Sequence, residues 1–309
     1  MKLIAELVPH NGGLAMSEVE NLKVILSLFD INKFLDKLDV FRKLDLRTTK
    51  DGELSKAIFD VLSIDFENAK MLLSFHDIKT IPKGTDLFRI RKLAEDDLEI
   101  PLKGMSKKSD AWNAPKKAIT RMGRLNKVGE SLLYVSFNPY TAIKEIKLQE
   151  NDRFSLSVYK TKKDIKAVAI GLGMTYDCYG LTDTEKIKAR LIDRFLFDEF
   201  SRDVGAGTEF LYRASEHIAK NYFELTPPDE QDAWIYPSIV SKQERNLCFR
   251  PNLAKRRLNL RGVIIGRYVQ ENILCEYIAH GFDESGLMNY YPIGSDAQKE
   301  IFPEVTAIE

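Results

Sequence analysis

The hydrophobic pattern of this 309-residue chain changes near residue 81, and that change constrains its fold more than any other feature. Upstream, apolar residues such as Leu22, Leu26 and Phe29 recur at helical spacing. Downstream, short apolar runs typical of strands are mixed with helical segments. These segments lack the regular strand–helix–strand alternation of a doubly wound parallel sheet. The pattern therefore predicts an α+β protein.

The first eighty residues are predicted to be helical. Ser17 and Glu20 form a capping-box pattern ahead of the apolar stripe, and a break is expected near Asp30. The segments "ELSKAIFDVL" and "ENAKMLLSFHDI" are interpreted as two more short amphipathic helices. We expect this region to be a small helical bundle that packs or dimerises.

Three regions are predicted along the chain. A helical region spans residues 1–80, a main domain spans 81–262, and C-terminal strands and a tail at 263–309 pack on the main domain. Within the main domain, Thr182 is the expected N-cap of a helix, and Glu185 completes its capping box. The late runs "RGVIIGRYV" and "ILCEYIAHGF" are predicted strands.

Composition excludes several classes of function. Lys plus Arg and Asp plus Glu both total 46, and this neutral balance argues against a general nucleic-acid binder. Cys178, Cys248 and Cys275 form no CxxC pair, which indicates a reducing intracellular compartment. The four histidines are scattered, so no metal site is expected on them. The chain has no run of 18 apolar residues, so no membrane span is expected either.

The stretch "GRLNKVGESLLYVSFNPYTAIKEI", residues 123–146, carries the main candidate residues. Asn138 stands at an expected N-cap and Pro139 at the first helical position. Glu145 then lies at the edge of an apolar stripe, where a carboxylate is partly desolvated. The alternatives for Glu145 are an edge glutamate in water and a structural ion pair. The residues expected to face inward are Ala142, Ile143 and Ile146.

Two arginines and a tyrosine are further candidates. Arg124 lies in a Gly-Arg-Leu-Asn turn, where its planar guanidinium could bind a phosphate or simply be a surface charge. Arg89 alternates with Phe88 and Ile90 and so points away from them, either to solvent or to a pocket wall. Tyr134 lies in the middle of a predicted strand, where core packing is its simplest role.

The motif "YPSIVS" is unusual for a strand. Pro237 cannot donate to a strand ladder, so it is expected to break the strand and expose the Ser238 hydroxyl. No Gly-x-Ser-x-Gly elbow surrounds Ser238, which argues against a serine hydrolase. The chain also has no Walker A motif, and "GLGMTYD" at residue 171 resembles a dinucleotide loop only faintly.

The order of six short motifs resembles the RES domain, a family named for arginine, glutamate and serine. The motifs are "LFRI", "GRLN", "LLYVS", "TAIKEI", "DAWIYPSI" and "RNLCF", and they lie within about residues 84–253. The resemblance implies a fold similar to the ADP-ribosyltransferase toxins, with mixed and antiparallel sheets, flanking helices and a cleft that binds NAD. It also makes 81–262 the catalytic RES domain.

The resemblance implies roles for six residues. Those implied to be catalytic are Glu145, Arg124 and Tyr134. Those implied to bind NAD are Arg89, Arg124, Tyr134, Ser238 and Asn246. In this picture the two arginines hold the pyrophosphate, Tyr134 stacks on the nicotinamide or the ribose, and Ser238 and Asn246 orient the nicotinamide ring.

The activity implied by the resemblance is cleavage of the nicotinamide–ribose bond of NAD, by hydrolysis or phosphorolysis. NAD depletion and growth arrest would follow, as for a cytoplasmic toxin of a toxin–antitoxin module. NAD is then a substrate, no metal is needed, and the expected partner is an Xre-type helix-turn-helix antitoxin. Whether the chain forms a homo-oligomer is left open. Neither nucleic acid nor a membrane is expected as a partner. The alternatives are a protein ADP-ribosyltransferase and a non-catalytic interaction protein that works through its N-terminal helices.

Overall fold

The computed structural model describes residues 16–66, 69–73, 77–173, 179–225, 229–241, 243–270 and 272–306. These residues form an α+β protein with a small helical N-terminal region, which confirms the predicted fold class. Cys178 and most of "GLGMTYD" lie outside the part that the structure describes. Ser17 is described only in its backbone, which belongs to α1, so the side chain on which its expected capping box depends also lies outside the description.

The described residues form eight α-helices and twelve β-strands. In chain order the elements are α1 (Met16–Leu28), α2 (Ile31–Arg42), α3 (Asp51–Val61), β1 (Ser63–Phe66), β2 (Ala69–Leu72), β3 (Asp77–Ile81), β4 (Asp86–Lys92), β5 (Leu133–Ser136), α4 (Pro139–Glu145), β6 (Arg153–Thr161), β7 (Ile165–Ala169), α5 (Asp183–Phe200), α6 (Tyr212–Tyr222), β8 (Ala233–Pro237), β9 (Arg245–Phe249), α7 (Pro251–Arg257), β10 (Leu258–Val269), β11 (Asn272–Phe282), β12 (Met288–Pro292) and α8 (Asp296–Ile301).

The chain divides into two compact units. The first contains residues up to Phe75 together with Gly173–Leu196, and the second contains His76–Leu172 and Phe197–Glu309. This division differs from the three predicted regions, because Gly173–Leu196 groups with the N-terminal helices. The predicted boundary at 262/263 also falls inside β10, in the middle of a continuous strand.

The first unit contains the predicted N-terminal helices and a short hairpin. The break near Asp30 is confirmed, since the Asp30 side chain accepts hydrogen bonds from the backbone N–H groups of Asn32 and Lys33 and so caps α2. "ELSKAIFDVL" is helical in α3, as predicted. The helix predicted for "ENAKMLLSFHDI" is wrong in its described part, because β2 pairs with β1 as an antiparallel hairpin. So short an apolar run does not distinguish a helix from a strand.

The start of α5 is also as predicted. The backbone N–H of Thr182 donates to the Glu185 carboxylate at 2.7 Å, and the Glu185 N–H donates to the Thr182 hydroxyl at 3.3 Å. These reciprocal bonds form a capping box. The bonds that the Glu185 carboxylate accepts from the Thr182 backbone N–H and hydroxyl lower the pKa of that carboxyl.

The second unit is built around one mixed sheet. Its strand order is β12-β11-β10-β6-β4-β5-β9-β8-β7-β3, and neighbouring strands are antiparallel except for β7 and β8. In the middle of the sheet, β4 and β5 pair at one position only, Phe88 with Ser136. Helix α4 lies beside this join, because Ala142 and Ile143 pack in the same core cluster as Ile90 of β4.

The two faces of this sheet carry different side chains. Cross-strand partners lie on the same face, so Phe88, Ser136, Asn246 and Tyr236 form a row across four strands on the face that α4 covers. The opposite face carries an apolar core whose members include Leu87, Leu133, Val135, Tyr159, Ile235 and Leu247. Arg89 lies two residues after Leu87 and therefore belongs to this second face.

Gly266 of β10 is predicted to be required for sheet packing. A Cβ at this position would lie 2.5 Å from the Leu274 carbonyl oxygen and 3.1 Å from Cζ of Phe154. Because backbone cannot move aside cheaply, we expect Gly266→Ala to lower the free energy of unfolding by about 1–3 kcal/mol.

Urea unfolding, monitored by tryptophan fluorescence, measures this loss of unfolding free energy, because Trp112 and Trp234 both belong to the second unit. Gly205→Ala is the matched control, since its Cβ would meet no atom closer than the Thr208 hydroxyl at 3.8 Å. Equal stability of the two variants would contradict the close packing inferred at Gly266.

Candidate functional site

Helix α4 carries Glu145 at its last position. The Asn138 side chain accepts a hydrogen bond from Tyr140 N–H at 2.8 Å, and Pro139 follows it, as predicted for the start of this helix. Ala142 and Ile143 are buried, as predicted, and they fix the helix against the sheet. Ile146 was predicted to face inward and is instead exposed, because the helix ends at Glu145 and the 3.6-residue spacing ends with it.

The Glu145 carboxylate is held by three donors on one oxygen. Glu145 Oε1 accepts hydrogen bonds from the Ser238 hydroxyl at 2.6 Å, the Asn246 amide at 2.9 Å and the Ile239 backbone N–H at 3.2 Å. Ser238 and Ile239 directly follow β8 and Asn246 lies in β9, about a hundred residues downstream of Glu145. Three fixed donors on Oε1 orient the carboxylate and leave Oε2 for another interaction.

Arg124 is the charged group nearest to that second oxygen. Its guanidinium Nη1 lies 3.8 Å from Glu145 Oε2, which is within ion-pair range and too long for a hydrogen bond. The side chain of Arg124 is 8% exposed and that of Glu145 is 16% exposed. Arg124 Nε is buried and has no hydrogen-bond partner among the described residues. The pair therefore keeps unused donor and acceptor capacity in a largely buried place.

A tyrosine ring on α6 completes the surroundings of Arg124. The Arg124 guanidinium carbon lies 5.2 Å from the centroid of the Tyr212 ring, a cation–π distance. The Arg124 carbonyl accepts a hydrogen bond from the Ser215 hydroxyl at 2.9 Å, so α6 also binds the arginine's backbone. Burial raises the pKa of the Tyr212 phenol, and the nearby Arg124 charge opposes that rise.

The turn that carries Arg124 is fastened by Tyr134. The Tyr134 hydroxyl donates to Asn126 Oδ1 at 2.8 Å and accepts from Leu125 N–H at 3.1 Å. Burial raises the pKa of this phenol well above its ordinary value, so it stays a donor throughout the neutral range. Gly123 is needed at the same point, since a Cβ there would lie 2.4 Å from Asn126 Oδ1.

Ser238 is buried, contrary to the expected exposure of its hydroxyl. Its exposed fraction is 0%. Pro237 does end β8, but the Ser238 N–H still donates to the Glu244 carbonyl, which keeps the chain beside β9. The Ser238 hydroxyl donates to Glu145 and accepts from Val240 N–H at 3.2 Å, so its hydrogen-bonding capacity is used in orienting the glutamate.

Five of the six candidate residues come together, and the sixth does not. Glu145, Arg124, Ser238 and Asn246 meet directly or through the carboxylate, and Tyr134 fastens the turn that carries Arg124. Arg89 lies on the other face of the sheet, and none of its described contacts reaches Glu145 or Arg124.

Two aromatic residues of the site were missed by sequence analysis. Tyr212 follows directly after the apolar position Leu211 and gives no signal of its own. Tyr236 shares its face with Asn246, and burial raises the pKa of its phenol well above the ordinary value, with Arg124 and Glu145 both acting on it electrostatically. Only the register between β8 and β9 brings Tyr236 to the site, and one sequence does not reveal that register.

The described residues contain no group of three or more His, Cys, Asp or Glu side chains arranged to hold a metal ion. Each helix in the described part of the chain is too short or too polar to span a lipid bilayer. A scan against protein-family models finds no match for this chain, and a search of curated proteins finds none either.

The role of Tyr134 can be tested through stability. In Tyr134→Phe the Leu125 N–H and the Asn126 side chain lose their partner in a buried place. We therefore expect the free energy of unfolding to fall by about 1–3 kcal/mol. Tyr140→Phe is the matched control, because Tyr140 is 52% exposed and should change stability little. Denaturant unfolding of both variants measures the difference, and an unchanged Tyr134→Phe would mean that the hydroxyl does not fasten the turn.

Proposed function

We propose that this protein is an NAD-degrading enzyme that breaks the nicotinamide–ribose bond, with Glu145 as its catalytic carboxylate. The observation that carries the proposal is the anchored carboxylate: three donors use Oε1, and Oε2 stays available beside the Arg124 guanidinium. The order of motifs that resembles the RES domain supports the same assignment.

The chemistry of the bond explains why such a carboxylate is useful. When the bond between the ribose carbon and the nicotinamide nitrogen breaks, its electron pair leaves with nicotinamide, and positive charge develops on the ribose. An oriented carboxylate oxygen stabilises that charge, or binds a ribose hydroxyl or the incoming nucleophile. Nicotinamide departs as a neutral molecule, so the leaving group needs no strong general acid.

Arg124 is proposed to bind the diphosphate of NAD. Its Nε is without a partner among the described residues, and its side chain is stacked against Tyr212, which restricts its motion. A guanidinium held in this way can present two N–H groups to one phosphate. Arg89 is left out of this proposal because it lies on the opposite face of the sheet.

Ser238, Asn246 and Tyr134 are proposed as positioning residues. The first two donate to Glu145 Oε1, and Tyr134 fastens the Arg124 turn. In this proposal they orient the carboxylate and the arginine. They do not contact the nicotinamide ring, which is the role that the resemblance implied. Their removal should disturb the geometry of the site rather than remove a reacting group.

The proposed setting is that of a cytoplasmic toxin that depletes NAD and arrests growth. An Xre-type helix-turn-helix protein is the proposed antitoxin partner, on the resemblance alone. Water or phosphate would accept the ADP-ribose. Transfer to a protein side chain is the alternative outcome, and it is recognised by nicotinamide release that requires an added protein acceptor.

Removing the carboxylate should abolish the activity. We expect Glu145→Gln to lower the rate of nicotinamide release by at least about 100-fold, as is typical for loss of an oriented catalytic group. Arg124→Ala should also lower it, because the diphosphate loses its charged partner. The measurement is chromatographic detection of nicotinamide from NAD with purified full-length protein, with phosphate and with a mixed protein acceptor in separate reactions.

The control for this experiment is Glu300→Gln, an exposed glutamate on α8 that should leave the rate unchanged. The rate of a variant is compared with that of the unmodified protein only if the two have the same melting temperature. Loss of the fold is then not mistaken for loss of the chemistry. Full activity in a folded Glu145→Gln would refute the catalytic assignment. Absence of NAD cleavage by the unmodified protein under all conditions would refute the proposed function.

NAD binding should stabilise the protein. A ligand that binds only the folded state adds about 2.7 kcal/mol at a concentration of 100 times its Kd, so the melting temperature should rise with NAD concentration. Glu145→Gln should keep most of this shift, because binding does not require the reacting carboxylate, whereas Arg124→Ala should lose most of it. A shift that is equal in Arg124→Ala and in the unmodified protein would contradict the role given to Arg124.

A further inference from the structure

A cavity lies in the second unit, and its lining contains none of the residues around Glu145. It is a cleft of about 490 Å³ between the segment around Lys108 and the strands β10 and β11. We call it the basic cleft. Its lining residues are Lys108, Ser109, Trp112, Lys162, Lys255, Leu258, Asn259, Leu260, Gly262, Ala279, His280, Gly281, Phe282 and Met288.

The basic cleft is positively charged. Lys108, Lys162 and Lys255 line it, and no acidic side chain is among the described residues of its wall. None of these lysines forms an ion pair within the described part of the chain. The Lys162 ammonium donates to the Lys255 carbonyl at 3.0 Å, which keeps the two residues together. Three exposed ammonium groups around a cleft whose described lining has no carboxylate attract an anion.

A buried charge lies behind one wall of this cleft. The Trp112 ring packs on Tyr159 with centroids 5.3 Å apart, and Tyr159 acts electrostatically on Arg89. Arg89 Nη1 is buried and has no hydrogen-bond partner among the described residues. Since Arg89 belongs to the same face of the sheet as Tyr159, its charge adds to the positive potential on this side.

The floor of the cleft is apolar. Trp112 and Leu258 belong to the core cluster on the face opposite Glu145, and Leu260 and Met288 continue the apolar surface. The volume is within the range of small-molecule sites, about 300–1,000 Å³, and is far more than one inorganic phosphate would fill. A fitting ligand therefore combines an anionic group with an organic part.

We infer that the basic cleft binds a small organic phosphate, with Lys108, Lys162 and Lys255 as partners of the phosphate and Trp112 beside the organic part. Lysine ammonium groups suit this role because they bind phosphate as point charges and three of them can approach one dianion. The site is on the opposite face of the sheet from Glu145, so its occupancy is separate from the proposed NAD chemistry.

Calorimetric titration of the full-length protein tests this inference with defined probes. The probes are adenosine 5′-monophosphate, ribose 5-phosphate, inorganic phosphate and adenosine. We expect adenosine 5′-monophosphate to bind at millimolar concentration or below, inorganic phosphate to bind more weakly, and adenosine not to bind. Binding should weaken as salt is added, because exposed ammonium groups are screened.

Charge reversal locates the site. We expect Lys108→Glu and Lys255→Glu each to weaken adenosine monophosphate binding at least tenfold. Lys117→Glu, an exposed lysine outside the cleft lining, should change it less than twofold. Glu145→Gln and Arg124→Ala should leave this binding unchanged, so failure of the cleft is distinguished from failure of the proposed NAD site.

Three results would overturn the inference. The first is no binding of any phosphate probe at millimolar concentration. The second is binding that survives reversal of both cleft lysines, or that is lost in Arg124→Ala, since the phosphate would then occupy another place. The third is adenosine or inorganic phosphate binding as tightly as the nucleotide, since the site would then not combine the two recognition elements.

Discussion

Three hydrogen bonds to one oxygen of Glu145 organise the candidate site. Two donors directly follow β8 and the third lies in β9, whereas the acceptor ends α4. The bonds therefore join a helix to a distant part of the sheet. A carboxylate in a largely buried place is costly unless it is hydrogen-bonded, and neutral donors meet that need without neutralising its charge. The glutamate thus gains a fixed orientation, and its second oxygen accepts none of these three bonds.

The surroundings of Arg124 follow the same logic on the cationic side. Its turn is held by the Tyr134 hydroxyl, its backbone by Ser215 and its guanidinium plane by the Tyr212 ring. These contacts position the charge without pairing it closely with a carboxylate, since Glu145 is 3.8 Å away. The two charges are near enough to attract and far enough apart to leave hydrogen-bonding capacity for a ligand.

Local features of this fold could be predicted from the sequence, and pairing between distant strands could not. The Asn138 cap and the Thr182 capping box depend on residues three or fewer positions apart, and both are present in the structure. The alternation of Arg89 with Phe88 was also readable. The face of the sheet on which Glu145 meets its partners depends on the long-range register of β5, β8 and β9. One sequence does not reveal that register, so it could not predict that Arg89 lies on the other face. The burial of Ser238 has the same cause.

The wide sequence separation within the site has a consequence for synthesis on the ribosome. Ser238 and Asn246 follow Glu145 by 93 and 101 positions, so a nascent chain that has only just produced α4 has no means of orienting that carboxylate. At translation speeds of about 5–20 residues per second, the delay is on the order of ten seconds. A product whose translation stops before β8 would carry the glutamate and the arginine without an assembled centre. If Glu145 is the catalytic carboxylate, as proposed, NAD cleavage would be possible only after the chain has been synthesised as far as Asn246.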